Sequence, residues 1–234
     1  MMVLEYNAMQ AGLSLAPLSL SMFATAILAG KRAGTRRPSS IIRWGFALLT
    51  TGLVLLIPIV PRADSGWYLL VPLVAAGLGL GLLVSQLNNY TLAPISEERV
   101  SEGAGVNSAA GSFGLSFGLA FAGAIMLATL SIAFTHETEA SQVLAPAEQQ
   151  QVADALDHDA EVMSNTQLQE QIANQPQPVQ DEIIQINTDV RPRALQVALL
   201  VPLFAGLIGL LNSFRMVRLP EPTPSGAADG RTLG

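Results

Sequence analysis

The chain contains no cysteine. That excludes disulfides, thiolate nucleophiles and cysteine-ligated metals. Charge is also scarce, at 13% of 234 residues, against about 25% in an ordinary soluble domain. The 12 lysines and arginines do not gather on one basic face, so a nucleic-acid partner is not expected. The two histidines, His136 and His158, stand apart, without the neighbours that a triad or a metal site needs. Asp154, Asp157, His158, Asp159 and Glu161 would sit around a helix rather than along one face, so no metal and no cofactor is expected. Residues 1–6 lack a basic region followed by a short apolar run and a cleavage site, and no signal peptide is expected. No catalytic constellation is present, and an enzyme is not expected.

Half of the residues are hydrophobic, and they are concentrated in long runs. Residues 6–30, 44–61, 65–96, 103–135 and 194–214 hold no Asp, Glu, Lys, Arg or His. A bilayer crossing needs about 20 mostly apolar residues. In lipid a free backbone N–H or C=O has no partner, so each crossing must be helical. The fold expected is an all-α membrane protein with transmembrane helices at about 6–30, 42–61, 66–93, 103–134 and 194–214. Pro17, Pro58, Pro72 and Pro202 lie in or near these spans, where proline is tolerated as a kink. Gly77-Leu78-Gly79-Leu80-Gly81 lies mid-span, with no strand before it and no lysine after it, so it reads as helix packing rather than a nucleotide loop.

Residues 85–130 join the third and fourth spans through a charged turn containing Glu97, Glu98, Arg99 and Glu102. Beyond the turn, Gly111, Gly114 and Gly118 recur every three or four residues, with Ala122 continuing the stripe. Small-xxx-small stripes let helix backbones approach closely in lipid, so this helix is expected at an inter-helix seam. A generic glycine-rich membrane helix is the other reading.

Between the last two spans, residues 136–193 hold eleven acids with many Gln and Asn residues. Pro146 begins a helical pattern with Val152, Leu156, Ala160 and Met163; Val179, Ile183, Ile186 and Val190 repeat it. Short amphipathic helices are expected, forming either a solvated loop or a cap that binds a ligand or partner. Residues 215–234 are expected to be a disordered tail. Placing Lys31, Arg32, Arg36, Arg37, Arg43, Arg99, Arg215, Arg218 and Arg231 on the cytoplasmic side leaves only Arg62, Arg191 and Arg193 outside. By the positive-inside rule the N-terminus and the acidic segment are then extracytoplasmic and the C-terminus cytoplasmic. An odd number of spans with an outside N-terminus raises the expectation of helices upstream.

The loop Gly30-Lys31-Arg32-Ala33-Gly34-Thr35-Arg36-Arg37 resembles the degenerate second-half copy of the G-x-x-x-D-R-x-G-R-R loop of the major facilitator superfamily. Lys31 stands at the acidic position. Ala8–Leu18, read as AMQAGLSLAPL, and Pro94–Asn107, read as PISEERVSEGAGVN, resemble helix and turn motifs of its 14-helix drug:proton antiporters, the EmrB/QacA type. The resemblance covers nearly the whole chain, but only the last five of the family's fourteen helices.

It implies the C-terminal part of a proton-coupled multidrug efflux transporter in a bacterial inner membrane, working by alternating access. Implied partners are the bilayer, protons, small hydrophobic drug-like substrates, and the missing N-terminal helices on the same original chain or a separate one. An ionisable residue inside a span marks a proton relay by default, and all five spans lack one, so the coupling group is expected elsewhere. Polar side chains that could line a cavity are Gln10, Ser14, Gln86, Asn88, Asn89, Tyr90, Asn107, Ser108 and Ser112; interhelical hydrogen bonding is their other reading. Arg32, Gly34, Arg36 and Arg37 form a cytoplasmic gate loop or simply fix topology. Two alternatives remain open at this stage: a non-transporting membrane protein whose acidic segment binds a partner or ligand, and an inactive truncated fragment.

Overall fold

A computed structural model describes residues 8–31, 37–63, 65–146, 149–150, 152–154 and 165–216. The described residues are almost all helical, with no strand among them. The helices are α1 (Ala8–Lys31), α2 (Pro38–Ile59), α3 (Leu70–Leu92), α4 (Val100–Ala140), α5 (Asn165–Gln171) and α6 (Gln177–Met216). Five of them are long and apolar enough to cross a membrane.

Local chemistry sets several of the helix ends. Pro38 opens α2 at a position whose N–H would be unused anyway, and the Arg37 carbonyl accepts from Ser40 N at 3.0 Å and Ile41 N at 3.3 Å. Proline also closes α2. Pro61 has no N–H to give the Ile57 carbonyl four residues back. The Gln196 amide on α6 supplies that hydrogen bond at 2.7 Å. One residue on, Arg62 donates to the Pro58 carbonyl at 2.8 Å. The chain tightens into a short 3-10 helix, Val60–Arg62, and a second one, Gly66–Leu69, leads into α3.

α4 and α6 outrun their apolar spans. With 41 and 40 residues, each is about 60 Å long at 1.5 Å per residue, twice the hydrocarbon thickness of about 30 Å. The expected span of α4 ended at 134 and that of α6 began at 194. Helix continues through Ala140 and starts already at Gln177. The excess carries Glu137, Glu139, Asp181, Glu182 and Asp189, which places it beyond the hydrocarbon.

The chain divides into two compact units, each taking parts of the long helices. One gathers the segments up to Ser14, Leu56–Leu69 and Leu119–Val201; the other gathers Leu15–Leu55, Leu70–Gly118 and the segment from Pro202.

In the first unit the outer end of the α4 span and the α6 extension enclose an apolar core. Leu130 and Phe134 from α4 meet Ile183, Ile186, Val190 and Ala194 from α6, with Leu144 and Leu168 added from the connection. Val152 and Val179 pack against it. The spacing of Ile183, Ile186 and Val190 puts them on one face of α6. Polar ties surround this core: Ser141 Oγ donates to Glu182 at 2.6 Å, and Arg193 donates to Glu137 at 2.9 Å. Arg191 is buried and donates through Nε to Asn187 at 2.8 Å. Leu156, Ala160 and Met163, the rest of the first helical pattern, lie outside the described residues.

In the second unit α3 is the hub, and its glycines are the reason. Gly77 and Gly81 are four residues apart and share a face; both meet α1. A Cβ on Gly77 would stand 2.3 Å from the Leu18 carbonyl, and one on Gly81 2.5 Å from the Met22 carbonyl. Gly79 faces the other way and meets α2, where a Cβ would reach Leu49 N at 2.4 Å. Gly52 repeats this one turn along, 2.6 Å from Ala76 N. α6 packs on α2 in the same manner, through Gly206 against Thr50 and Gly209 against the Phe46 ring. This is small-residue packing, which takes the place of a hydrophobic driving force within lipid.

The stripe Gly111, Gly114 and Gly118 behaves differently. A Cβ on any of the three meets nothing within 4 Å. Among the described residues no helix covers this stripe, so the expected seam is not made with the rest of this chain. Phe113 and Phe117 stack on each other along α4 instead, with ring centroids 5.7 Å apart.

Candidate functional site

The polar side chains singled out in the sequence are divided between the two units. Gln10 and Ser14 fall in the first. Ser14 Oγ donates to the Gln10 carbonyl at 2.8 Å, a local i−4 bond of the kind serine makes inside helices. Gln86, Asn88, Asn89, Asn107 and Ser112 fall in the second. Asn89 and Ser112 are exposed.

Asn88 and Asn107 do come together. They face each other across the α3–α4 turn, and the Asn107 amide donates to the Asn88 side-chain carbonyl. The turn explains the register. Its 3-10 helix, Glu97–Arg99, reverses the chain, and Gly103 packs against Ile95 and Leu92. Asn88 and Asn107 each lie four residues further out from Leu92 and Gly103. Each amide keeps unused donors or acceptors, so the pair can take up a ligand's polar group as well as hold the hairpin. A double-mutant cycle on Asn88→Ala and Asn107→Ala, read by unfolding in detergent, is expected to give a coupling of about 0.6 kcal/mol, the usual size for a membrane interhelical bond. No coupling would mean that the two amides act independently.

Gln86 sits differently from its neighbours. It is 2% exposed, and its Nε2 has no hydrogen-bond partner. Tyr90, one turn on, donates to the Met216 carbonyl at 3.3 Å and holds the end of α6.

Of the expected gate loop, Arg32, Gly34 and Arg36 lie outside the described residues. Arg37 stands at the N-terminal edge of α2, its carbonyl closing the first turn. In the charged turn before α4, Glu102 pairs with Arg99 at 3.0 Å, both well exposed.

Three contacts had not been singled out in the sequence. Arg43 lies over the Phe214 ring, 4.9 Å from its centroid. Gln196 repairs the carbonyl that Pro61 orphans. The α4 and α6 extensions also frame an open cleft of about 130 Å³ lined by Glu137, Ser141, Glu182, Gln185 and Asp189, among others. Only the last had a signal, in the acids of the segment. A lone arginine or glutamine in a helix says nothing of which aromatic ring or carbonyl it will reach.

Among the described residues no three His, Cys, Asp or Glu side chains gather as metal ligands. No protein-family model and no solved structure matches the chain. It is similar to a protein described as a probable actinorhodin transporter from Streptomyces coelicolor, at 27% identity over 130 residues. The alignment covers 54% of this chain and 22% of that protein, so the chain spans about a fifth of the relative it matches.

Proposed function

We propose that the chain is the C-terminal portion of a proton-coupled multidrug efflux transporter of the major facilitator superfamily. It would move hydrophobic compounds by alternating access together with helices that this sequence does not contain. The observation that carries the reading is the similarity to a probable transporter, in a chain with five helices of membrane-crossing length. The basic loop before α2 and the turn before α4 support the superfamily and its 14-helix branch by resemblance.

The division of labour follows from chemistry. The charge-free spans offer no group that could take up and release a proton, so coupling belongs to the missing helices. This chain supplies cavity wall through Asn88 and Asn107, and a gate through Arg36 and Arg37. The open stripe Gly111, Gly114 and Gly118 is the face on which missing helices would close. Membrane insertion with a cytoplasmic C-terminus is part of the same reading.

Two measurements test it. An immunoblot of native membranes shows either a band near 24.6 kDa or a larger one. The larger band means an intact antiporter, on which drug efflux is then assayed; the smaller requires a partner chain. In the assembled transporter, Arg36→Ala is expected to impair efflux with insertion unchanged, and normal efflux would sink the gate assignment.

The acidic cleft of Glu137, Glu182 and Asp189 favours a second reading, in which the outer segment binds a partner or ligand and the chain transports nothing. Deleting residues 147–189 discriminates the two. A sensor loses its response, whereas a transporter is only perturbed.

A further inference from the structure

We infer that the Ile57 carbonyl is a switchable latch between α2 and α6. The Gln196 amide holds it while the two helices lie together, and the Arg62 guanidinium takes it over when they part.

The argument starts from an acceptor that has lost its own donor. In an unbroken helix the Ile57 carbonyl would accept from the N–H of residue 61, and proline has none. The donor in the structure is instead the Gln196 side chain on α6, at 2.7 Å. That bond exists only while α6 lies against α2. The next carbonyl is served differently. Pro58 accepts from Arg62 Nη1 at 2.8 Å, a donor that belongs to the end of α2 and stays with it.

Arg62 is exposed and Gln196 half-buried. A guanidinium carries five N–H donors, more than the bond to Pro58 takes up. The carbonyls of a last helical turn point past the helix end and need partners from outside the helix. Ile57 and Pro58 are consecutive, so their carbonyls lie side by side and one guanidinium can bridge them. Neither arrangement then strands a carbonyl, which in apolar surroundings would be costly. With no substitute donor the seam would be locked shut.

Both helices can bend at this level. α2 holds Pro58 in its last turn, and α6 holds Pro192 one turn before Gln196. Each proline removes a bond of its own helix, and such positions are the usual sites of kinks. Ile57, Pro58, Pro61, Arg62, Pro192 and Gln196 all belong to the first unit. The latch does not depend on whether the chain transports anything.

The test uses the full chain in nanodiscs. It has no cysteine, so Ile59→Cys and Val197→Cys can be spin-labelled without background, and dipolar broadening then reads the ratio of parted to apposed helices. Gln196→Leu is expected to raise that ratio about threefold, the shift made by one interhelical hydrogen bond in a membrane. Pro61→Ala returns an N–H to the Ile57 carbonyl, so adding Gln196→Leu to it should change nothing further. If Gln196→Leu alone fails to fold, recovery of the fold by Pro61→Ala reads the same coupling. Arg62→Leu removes the substitute donor and should lower the ratio below that of wild type. An equal effect of Gln196→Leu with and without Pro61 would overturn the latch, because Gln196 would then act through packing. So would a single separation in every variant, or a raised ratio in Arg62→Leu, which would mean that Arg62 holds the helices together.

Discussion

Gly79→Leu is expected to prevent the second unit from assembling, while Gly114→Leu leaves the isolated chain folded. Both are helix-interior glycines in apolar spans, and by intrinsic propensity both substitutions gain about 1 kcal/mol. Packing decides between them. At position 79 even a Cβ would lie 2.4 Å from Leu49 N and 2.6 Å from the Gly45 carbonyl. These are backbone atoms and cannot rotate aside. The helices must separate, and with them go the contacts of Gly45, Gly52 and Leu83 along the same seam. Overpacking ordinarily costs about 1–3 kcal/mol, and more when backbone has to move; Gly79→Leu belongs above that range. At position 114 nothing lies within 4 Å, so the change should stay within about 0.5 kcal/mol of wild type. Thermal unfolding in detergent compares the three proteins. A Gly79→Leu chain with an unchanged midpoint would show that α2 and α3 do not touch there. Within the larger transporter proposed above the order changes: Gly114→Leu is then expected to block association with the helices proposed to close on this stripe.

Phe134→Ala is expected to cost about 3–5 kcal/mol, the range for removing a fully buried aromatic side chain. Phe134 is 0% exposed and sits among Leu130, Ile183, Ile186 and Val190. This core straddles the end of the apolar spans: Leu130 and Phe134 belong to the last turns of the fourth run, whereas Ile183, Ile186 and Val190 precede the fifth. On that outer side the alternative to burial is water, and the hydrophobic effect contributes beyond the close packing that holds helices together in the bilayer. The loss should be local. Hydrogen exchange is expected to rise through the end of α4, α5 and the start of α6, while amides within the apolar spans stay protected. Unchanged exchange in the outer segment would mean that another contact holds α4 to α6. Ser141–Glu182 and Arg193–Glu137 are too polar and too exposed to replace the core.

The amino-acid sequence by itself determined the class of molecule, an all-helical chain with five helices long and apolar enough to cross a membrane. Long charge-free runs leave lipid as the only suitable solvent, and lipid leaves helix as the only suitable backbone. It also determined which residues share a face: Ile183 with Ile186 and Val190, and Gly77 with Gly81. Periodicity alone is enough for both. The tertiary structure decided which of those faces are used. Two glycine stripes look equivalent in the sequence, yet α3's is packed on both sides and α4's is not covered by any described helix. Only the fold brought Gln196 to the carbonyl that Pro61 strands, Asn107 to Asn88, and Arg43 to the Phe214 ring, because each pairing joins different helices. It also extended α4 and α6 past their apolar runs, where polar sequence and helical structure coexist once an apolar core holds two helices together. Spacing along a chain fixes a direction around one helix axis. The partner in that direction is fixed by how several axes pack, and no single stretch of sequence carries that information.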